Sequence, residues 1–351
     1  MTTVHDLAAQ RSVIVCCGSG GVGKTTTAAA LAVEAAARGR RACVVTIDPA
    51  RRLADALGLG ELTNEPRRVE GPWPGELWAL MLDTKTTFDA IVTKYSSSPE
   101  QAERIVGNRL YRNISGALSG TQEYMAMEKL HELHSTGQFD VIVIDTPPTR
   151  NALDFLDAPR RITRFLDNRL FRLLVMPTTS YLRAVSAATQ RILRTIARVV
   201  GAEVVDDAVA FFEAFEGMEQ GFRDRAQAVT ALLADDATAF VVVASPRRDA
   251  THEAIFFADK LVEAGLGVDA VVVNRMQPAF GEHDPWLPEH ASDALRALAQ
   301  NRNDFGALAA SEHKELAGLE AAAQGAPVAH IPVLKDDVHD LVGLDAVRAH
   351  L

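Results

Sequence analysis

One stretch near the N-terminus limits the possible folds of this chain more than any other, and it reads Gly18-Ser19-Gly20-Gly21-Val22-Gly23-Lys24-Thr25. It fits the spacing G-x-x-x-x-G-K-[ST]. The apolar run at residues 12–17 predicts a buried strand before it, and residues 26–33 predict a helix after it. In that context glycines let backbone N–H groups approach phosphate oxygens, and the helix N-terminus adds partial positive charge. The stretch therefore predicts a phosphate-binding loop that opens a helix.

The loop assigns roles to particular residues. We expect Lys24 to reach the β- and γ-phosphates of a nucleotide and the Thr25 hydroxyl to ligate Mg²⁺. The remaining phosphate contacts are expected from the rest of the loop and the first helical turn, namely Gly20, Gly21, Val22, Gly23 and Thr26. The chain is therefore predicted to bind a nucleotide.

Two acids follow predicted strands and extend the expected site. Asp145 ends the apolar run at residues 139–145, where we expect it to hold Mg²⁺ through a coordinated water. Asp48 follows the run at residues 41–47 and is expected to lie at the metal and to orient or deprotonate the water that attacks the γ-phosphate. The alternative for either acid is a helix cap, and Asp48 would then cap a helix at residues 51–57. Residues 146–150 follow Asp145 and are expected to sense the γ-phosphate as a switch.

Residues towards the C-terminus bear on the choice of nucleobase. Guanine specificity usually rests on Asn-Lys-x-Asp, whereas here Asn274 is followed by Gln277 at the position of that aspartate. Asn274 can contact the edge of adenine, and the segment that begins with Pro332 and Val333 can pack over the ring. The predicted cofactors are therefore ATP and Mg²⁺.

Charge and cysteine content limit the partners and the compartment. The net charge of −10 argues against wholesale binding to nucleic acid or to anionic membranes. Cys16, Cys17 and Cys43 lie in predicted core strands and form no C-x-x-C pair, which indicates a reducing compartment. Residues 1–11 are unlike a signal peptide, and no apolar run approaches the ~20 residues of a membrane-spanning helix. We therefore expect a soluble, cytoplasmic protein.

Apolar strands alternate with helices along much of the chain. Besides the three runs already named, strands are predicted at residues 76–83, 240–244, 268–273 and 328–331. Helices are predicted over much of residues 84–134, around Leu295 and Leu308, and over residues 341–351. Continuous apolar strands separated by helices predict a parallel sheet covered on both faces. The expected fold class is α/β: a doubly wound, mostly parallel sheet of the P-loop NTPase type with an inserted α-helical subdomain.

The expected subdomain has an uneven charge distribution. Residues 1–85, 138–157 and 237–351 are predicted to form the nucleotide-binding domain, and residues 86–137 and 158–236 the helical subdomain. Residues 150–198 contain ten arginines and three acids, whereas residues 203–236 contain nine acids and two arginines. Apolar side chains accompany both parts: Leu182, Val185, Ile192, Ile196 and Val199, then Phe211, Phe212, Phe215 and Met218. Such helices either pack on the domain with ion pairs between their outer faces, or form a groove for a client or partner.

Several segments together resemble the arsenical-pump-driving (ArsA-like) ATPase family: residues 18–27, 46–57, 139–156 and 331–334, with the turn at residues 119–123 and Asn274. That family includes the ATPase that delivers tail-anchored membrane proteins. The resemblance implies a nucleotide-gated dimer of doubly wound domains, each carrying a helical subdomain. It also implies that Asp48 lies in the first switch, Asp145 in the second metal-binding motif and Asn274 beside adenine.

The chain departs from that family's pattern at three places, one of which is the switch segment, where Arg150 and Asn151 stand in place of the family's frequent Gly-His. The family's loop typically begins G-K-G-G, and its first lysine crosses the dimer interface, whereas this chain has Ser19 there. Either a related subunit carrying that lysine supplies the charge, or Arg150 in the switch segment takes a catalytic role in its place. Cysteines are also lacking beyond the first two strands, so neither a thiol metalloid site nor a C-x-x-C zinc site can be built.

The resulting hypothesis is a Mg²⁺-dependent ATPase whose dimer opens and closes with ATP, as a homodimer or as a heterodimer with a related subunit. It would drive a membrane transport partner or hold a hydrophobic client, in the cytoplasm or at the membrane through that partner, and bind no nucleic acid. One alternative is a catalytically weak nucleotide-binding subunit of a heteromeric complex. Another is a partition or positioning ATPase, although residues 336–351 are short and acidic, unlike a membrane-targeting tail.

Overall fold

The structure is a computed structural model that describes residues 3–48, 50–109, 111–112, 121–147, 217–279, 287–288 and 290–351, with isolated residues between 158 and 214. Several predictions fall outside the described residues. These are the role of Arg150, the end of the switch segment, the turn at residues 119–120, the charge split of residues 150–198 and the apolar group from Leu182 to Val199.

The described residues form eight strands and a series of helices. The strands are β1 (Val13–Cys17), β2 (Arg41–Thr46), β3 (Arg67–Val69), β4 (Glu76–Met81), β5 (Val141–Asp145), β6 (Thr238–Ala244), β7 (Ala270–Met276) and β8 (Val328–Pro332). The helices are α1 (Val4–Gln10), α2 (Lys24–Ala37), α3 (Arg52–Ala56), α4 (Thr84–Tyr95), α5 (Pro99–Gly107), α6 (Thr121–Thr136), α7 (Glu219–Leu233), α8 (Arg248–Glu263), α9 (Asp293–Ala322) and α10 (Leu341–Arg348).

All eight strands belong to one sheet, in the order β3-β4-β2-β5-β1-β6-β7-β8. Every neighbouring pair is parallel except β3 with β4 at the edge. In this register Asp145 at the end of β5 lies opposite Thr46 of β2 and Cys16 of β1. The predicted α/β fold with a mostly parallel sheet is confirmed. Because parallel strands end at one edge, that edge gathers the ends of β1, β2 and β5.

The sheet is buried on both faces, as continuous apolar strands require. Alternate residues such as Ile14 and Cys16 share one hydrophobic core with α1, α2 and α10. The intervening residues of β1, Val13, Val15 and Cys17, point to the other face and are also buried. The helix α2 is rich in alanine and almost wholly buried, so it packs closely against the sheet and against α1 and α10.

The chain divides into two compact units. The first comprises Met1–Met81, Glu132–Leu153 and Ala234–Leu351, and the second comprises Leu82–His131 and Asp154–Leu233. The sheet and the loop at residues 18–23 belong to the first unit. Nucleotide binding by the first unit and a separate role for the second remain predictions.

None of the described helices combines the length and the apolar character that a membrane span needs.

Three elements differ from the expectations. Helix α1 was not predicted, yet Thr3 and Asp6 form a capping box at its start. Strand β3 is a short antiparallel edge strand with two exposed arginines, Arg67 and Arg68, and so lacks an apolar run. The predicted helices around Leu295 and Leu308 form one continuous helix, α9.

Candidate active site

The loop at residues 18–23 joins the end of β1 to the start of α2. Gly21 and Gly23 have φ angles of 78° and 99°, in the region that favours glycine. A Cβ atom on Gly18 would overlap the Val243 carbonyl oxygen of β6, so the loop must approach that strand without a side chain. These constraints bend the backbone between strand and helix, and they explain why the glycines lie at these positions.

Lys24 is the first residue of α2 and is only 6% exposed. Its Nζ donates a 2.8 Å hydrogen bond to the Ser19 carbonyl oxygen, which closes the loop over the amine. Burial lowers the pKa of the Lys24 amine, while the nearby Asp145 carboxylate opposes that shift. A buried cation is therefore held directly beneath the loop.

Asp145 lies beside this amine and is 1% exposed. Its Oδ2 accepts hydrogen bonds from Thr25 Oγ1 at 2.7 Å and from Thr46 Oγ1 at 2.8 Å. Its other oxygen, Oδ1, is buried and has no hydrogen-bond partner among the described residues. Burial raises the pKa of the Asp145 carboxyl, although both threonine hydroxyls favour its ionised form. An orphaned buried carboxylate oxygen beside a hydroxyl is a donor set that suits Mg²⁺, directly or through water.

Asp48 follows β2 and its side chain is 17% exposed. Its Oδ1 accepts a 2.9 Å hydrogen bond from the Ala50 amide, and its Oδ2 lies 3.5 Å from Arg52 Nη1. The Asp48 amide donates to Thr46 Oγ1 at 3.2 Å. Asp48 thus shapes the turn that leads into α3, while the N-cap of that helix is Arg51. The carboxylate nevertheless faces the same pocket as Lys24 and Thr25.

A pocket of about 890 Å³ opens over the loop. The predicted site residues that line it are Gly21, Gly23, Lys24, Thr25, Thr26, Asp48, Asn274, Pro332 and Val333. Asp145 lies behind Thr25 and does not line the pocket, and Gly20 and Val22 line an adjoining cavity of about 710 Å³. The structure thus brings these predicted residues, from four separate stretches of the chain, to one concave surface.

The family model of the anion-transporting ATPases matches residues 11–321, most of the chain. The chain belongs to the anion-transporting ATPase family. Membership identifies it as an ATPase, in agreement with the predicted resemblance.

Three relatives illustrate how far the similarity extends. The protein named "Putative arsenical pump-driving ATPase 1" of Aquifex aeolicus is 25% identical over 76% of this chain and 63% of its own length. The ATPase GET3 of Malassezia globosa is 26% identical over 78% of this chain and 76% of its own. An uncharacterized protein of Streptomyces coelicolor, SCO2128, is 28% identical over 82% and 68%. Because the chain spans less than two thirds of the Aquifex protein, the activity of such a whole protein is attributed to this chain only as a proposal.

The Asn274 side chain bonds to the phosphate loop, a contact that the predicted role beside adenine did not include. Its Nδ2 donates a 3.0 Å hydrogen bond to the Val22 carbonyl oxygen, and its Oδ1 accepts from the Arg275 amide at 2.9 Å. A Cβ on Gly23 would overlap Asn274 Nδ2. Asn274 therefore ties the end of β7 to the loop, and contact with adenine stays a prediction.

Sequence reasoning missed several residues at the site. Thr46 lies within the predicted strand at residues 41–47, and no site role was predicted for it. A polar residue near the end of an apolar run can nevertheless indicate a position at the edge of the sheet where ligands bind. The pocket wall also includes Arg52, Asp55, Arg275, Asp336, Asp337 and His339. They come from α3, from the end of β7 and from the segment after β8, so only the tertiary fold shows that they share the pocket.

Proposed function

We propose that this member of the anion-transporting ATPase family is a Mg²⁺-dependent ATP hydrolase whose active site is the pocket over residues 18–26. The observation that carries the proposal is the cluster of Thr25, Thr46 and Asp145, in which one carboxylate oxygen is buried without a partner among the described residues. A buried amine, Lys24, lies beside that cluster. Together they form an anion site next to a cation site, which is what a metal–nucleotide complex requires.

Separate residues bind the phosphate chain and the metal ion in this proposal. The backbone of Gly20, Gly21, Val22 and Gly23, the N-terminus of α2 with Thr26, and the Lys24 amine bind the phosphate chain. The Thr25 hydroxyl and the Asp145 carboxylate hold the metal ion, with Asp48 close to it. Bound Mg²⁺ offsets phosphate charge, and ATP supplies the transferable phosphoryl group.

Asp48 orients the attacking water and accepts its proton in this proposal. Its partial exposure and its position on the pocket wall support that role, and the Ala50 amide and Arg52 hold its two oxygens in place. Asn274, Pro332 and Val333 form the adjoining wall, where adenine rather than guanine is expected to bind.

By family membership we propose that ATP opens and closes a dimer, which drives a membrane transport partner or the handling of a hydrophobic client. Ser19 carries no charge, so a lysine of a related subunit or Arg150 would complete the phosphate site. An in-trans cation of this kind changes turnover by about 10³-fold or more in phosphoryl-transfer enzymes.

The decisive experiment is ATP turnover by the purified protein at rising protein concentration, with and without Mg²⁺. We expect Lys24→Ala and Asp145→Ala to abolish turnover, and Lys85→Ala, an exposed lysine of the second unit, to leave it unchanged. Turnover per subunit that rises with concentration supports a self-sufficient dimer. ATP binding without turnover favours the weak subunit of a heteromeric complex, and absence of ATP binding contradicts the proposal.

Arg150 is tested in the same assay. Loss of turnover in Arg150→Ala with ATP binding retained supports its role as the substituting cation. Unchanged turnover contradicts that role.

A further inference from the structure

Arg275 has an unusual backbone conformation at the edge of the site. Its φ angle is 63°, and among the described residues only Gln324 shares a positive φ without being glycine. Gln324 follows the end of α9, where such a conformation is common. Arg275 instead interrupts the pairing of β7 with β8, because the register shifts between Asn274 and Met276. It is therefore the extra residue of a β-bulge, a feature that re-aims a side chain.

The bulge is connected directly to the phosphate loop. The Arg275 amide donates a 2.9 Å hydrogen bond to Asn274 Oδ1, and Asn274 Nδ2 donates to the Val22 carbonyl at 3.0 Å. A left-handed conformation at a non-glycine residue is unfavourable unless surrounding contacts impose it. Here the loop itself, through Asn274, helps impose it. The conformation of Arg275 is thus coupled to the residues that surround a bound phosphate chain.

Arg275 is exposed and lines both cavities beside the loop. Gly21 and Val333 are the other residues that line both, and Ser19 lines the second cavity. Two further cations line the larger pocket, and both are engaged: Lys24 bonds to the Ser19 carbonyl, and Arg52 lies 3.5 Å from Asp48. Arg275 makes no ion pair with any residue that the structure describes.

The larger pocket needs a positive charge beyond those of Lys24 and Arg52. Its wall contains four acids, Asp48, Asp55, Asp336 and Asp337, whereas its three cations are Lys24, Arg52 and Arg275. A phosphate chain adds several negative charges, and one metal ion neutralises only part of them. A guanidinium offers two parallel N–H donors that match phosphate oxygens, and it stays charged at every physiological pH.

We infer that Arg275 binds the phosphate chain over the loop and supplies the cation that Ser19 does not. The inference rests on the proposed function, because it presumes that a nucleotide binds in this pocket. It differs from the two sources already considered, since the charge comes from the same subunit and from the end of β7.

Nucleotides of different phosphate number test the inference. We expect Arg275→Gln to weaken ATP binding about tenfold or more, ADP less, and AMP little, since a hydrogen bond to a charged group is worth about 1.5–3 kcal/mol. The loss is expected to shrink at high salt, as screening predicts. Arg275→Lys keeps the charge but loses the paired N–H donors, so it is expected to lose less affinity for ATP than Arg275→Gln does. An equal loss for AMP and ATP would mean contact with the base, and no loss for ATP would mean no contact; either overturns the inference.

Glycine substitutions separate binding from structure. Arg275→Gly removes the side chain and relieves the strained φ, so we expect weaker ATP binding with an unchanged or higher melting temperature. Gln324→Gly is the matched control, expected to alter stability similarly and ATP binding not at all. A clear fall in melting temperature for Arg275→Gly, with equal loss for all three nucleotides, indicates a structural role and overturns the inference. If wild-type protein binds and hydrolyses ATP and Lys24→Ala does neither, the proposed function stands whatever Arg275 does. If wild type does not bind ATP, both fall.

Discussion

The Thr46 hydroxyl donates a 2.8 Å hydrogen bond to Asp145 Oδ2, across the register that pairs the ends of β2 and β5. Thr25 donates to the same oxygen at 2.7 Å. Because Oδ2 accepts both hydrogen bonds, the orientation of the carboxylate is fixed, and Oδ1 has no hydrogen-bond partner among the described residues. Thr46 therefore acts as a positioning residue for the proposed metal site.

Replacing Thr46 by valine tests that role. Thr46→Val keeps the shape and removes the hydroxyl, so we expect a stability loss of about 1 kcal/mol. We also expect a higher Mg²⁺ concentration for half-maximal turnover, because Asp145 loses one of the donors that orient it. Thr46→Ser is the matched control and should behave like wild type. An unchanged Mg²⁺ dependence in Thr46→Val would remove Thr46 from the site.

Two glycines of the loop are expected to respond very differently to alanine. At Gly18 the new Cβ would meet the Val243 backbone oxygen, which cannot move aside, so Gly18→Ala should cost more than about 2 kcal/mol. At Gly21 nothing lies within 4 Å, and only the φ of 78° is unfavourable, so Gly21→Ala should cost about 1 kcal/mol. Urea unfolding of the two variants measures the difference, and equal losses would contradict this explanation of the loop.

A buried ion cluster makes the stability of the first unit depend on pH. Glu34 of α2 accepts from Arg38 at 2.6 Å and from Arg348 of α10 at 3.0 Å. Burial by itself raises the pKa of Glu34, but these hydrogen bonds together with the attraction of neighbouring cationic groups outweigh it and hold the pKa below its ordinary value of 4.5. Glu34 therefore contributes stability above pH 4.5, and that contribution is lost as pH falls through the lowered pKa.

Glu34→Gln measures this contribution. We expect it to be about 2 kcal/mol less stable than wild type at neutral pH, with the gap narrowing as pH falls below 4.5. Glu263→Gln, which removes an exposed partner of Lys260, should change stability by less than about 1 kcal/mol at every pH. Denaturation curves that stay parallel for wild type and Glu34→Gln across this range would show that the cluster is not coupled to folding.

The three cysteines are expected to be unreactive in the folded chain. Cys16, Cys17 and Cys43 are buried in β1 and β2, and burial raises the pKa of the Cys16 and Cys17 thiols. Since the thiolate is the reactive form, a thiol reagent at pH 8 should label none of them at the rate of an exposed thiol. In urea all three should react. Rapid labelling of the folded protein would contradict the burial of these strands.

The loop and most strands were predictable because they depend on short-range pattern. The run at residues 141–144 is apolar throughout, which is typical of a strand covered on both faces. Helix α1 and strand β3 were missed because a seven-residue helix and a three-residue edge strand carry little pattern. The continuity of α9 was missed because its apolar residues do not follow one buried stripe: Leu298 and Phe305 are exposed.

The sequence by itself determined the phosphate loop, the parallel sheet and the acids at the strand ends, since each follows from residues close together in the chain. Only the tertiary structure decided that Thr46 shares an oxygen of Asp145 with Thr25, and that Arg275 lies in a bulge beside the loop. Those relationships join residues that are far apart in sequence. Strand order and register determine such contacts, and no local pattern encodes them.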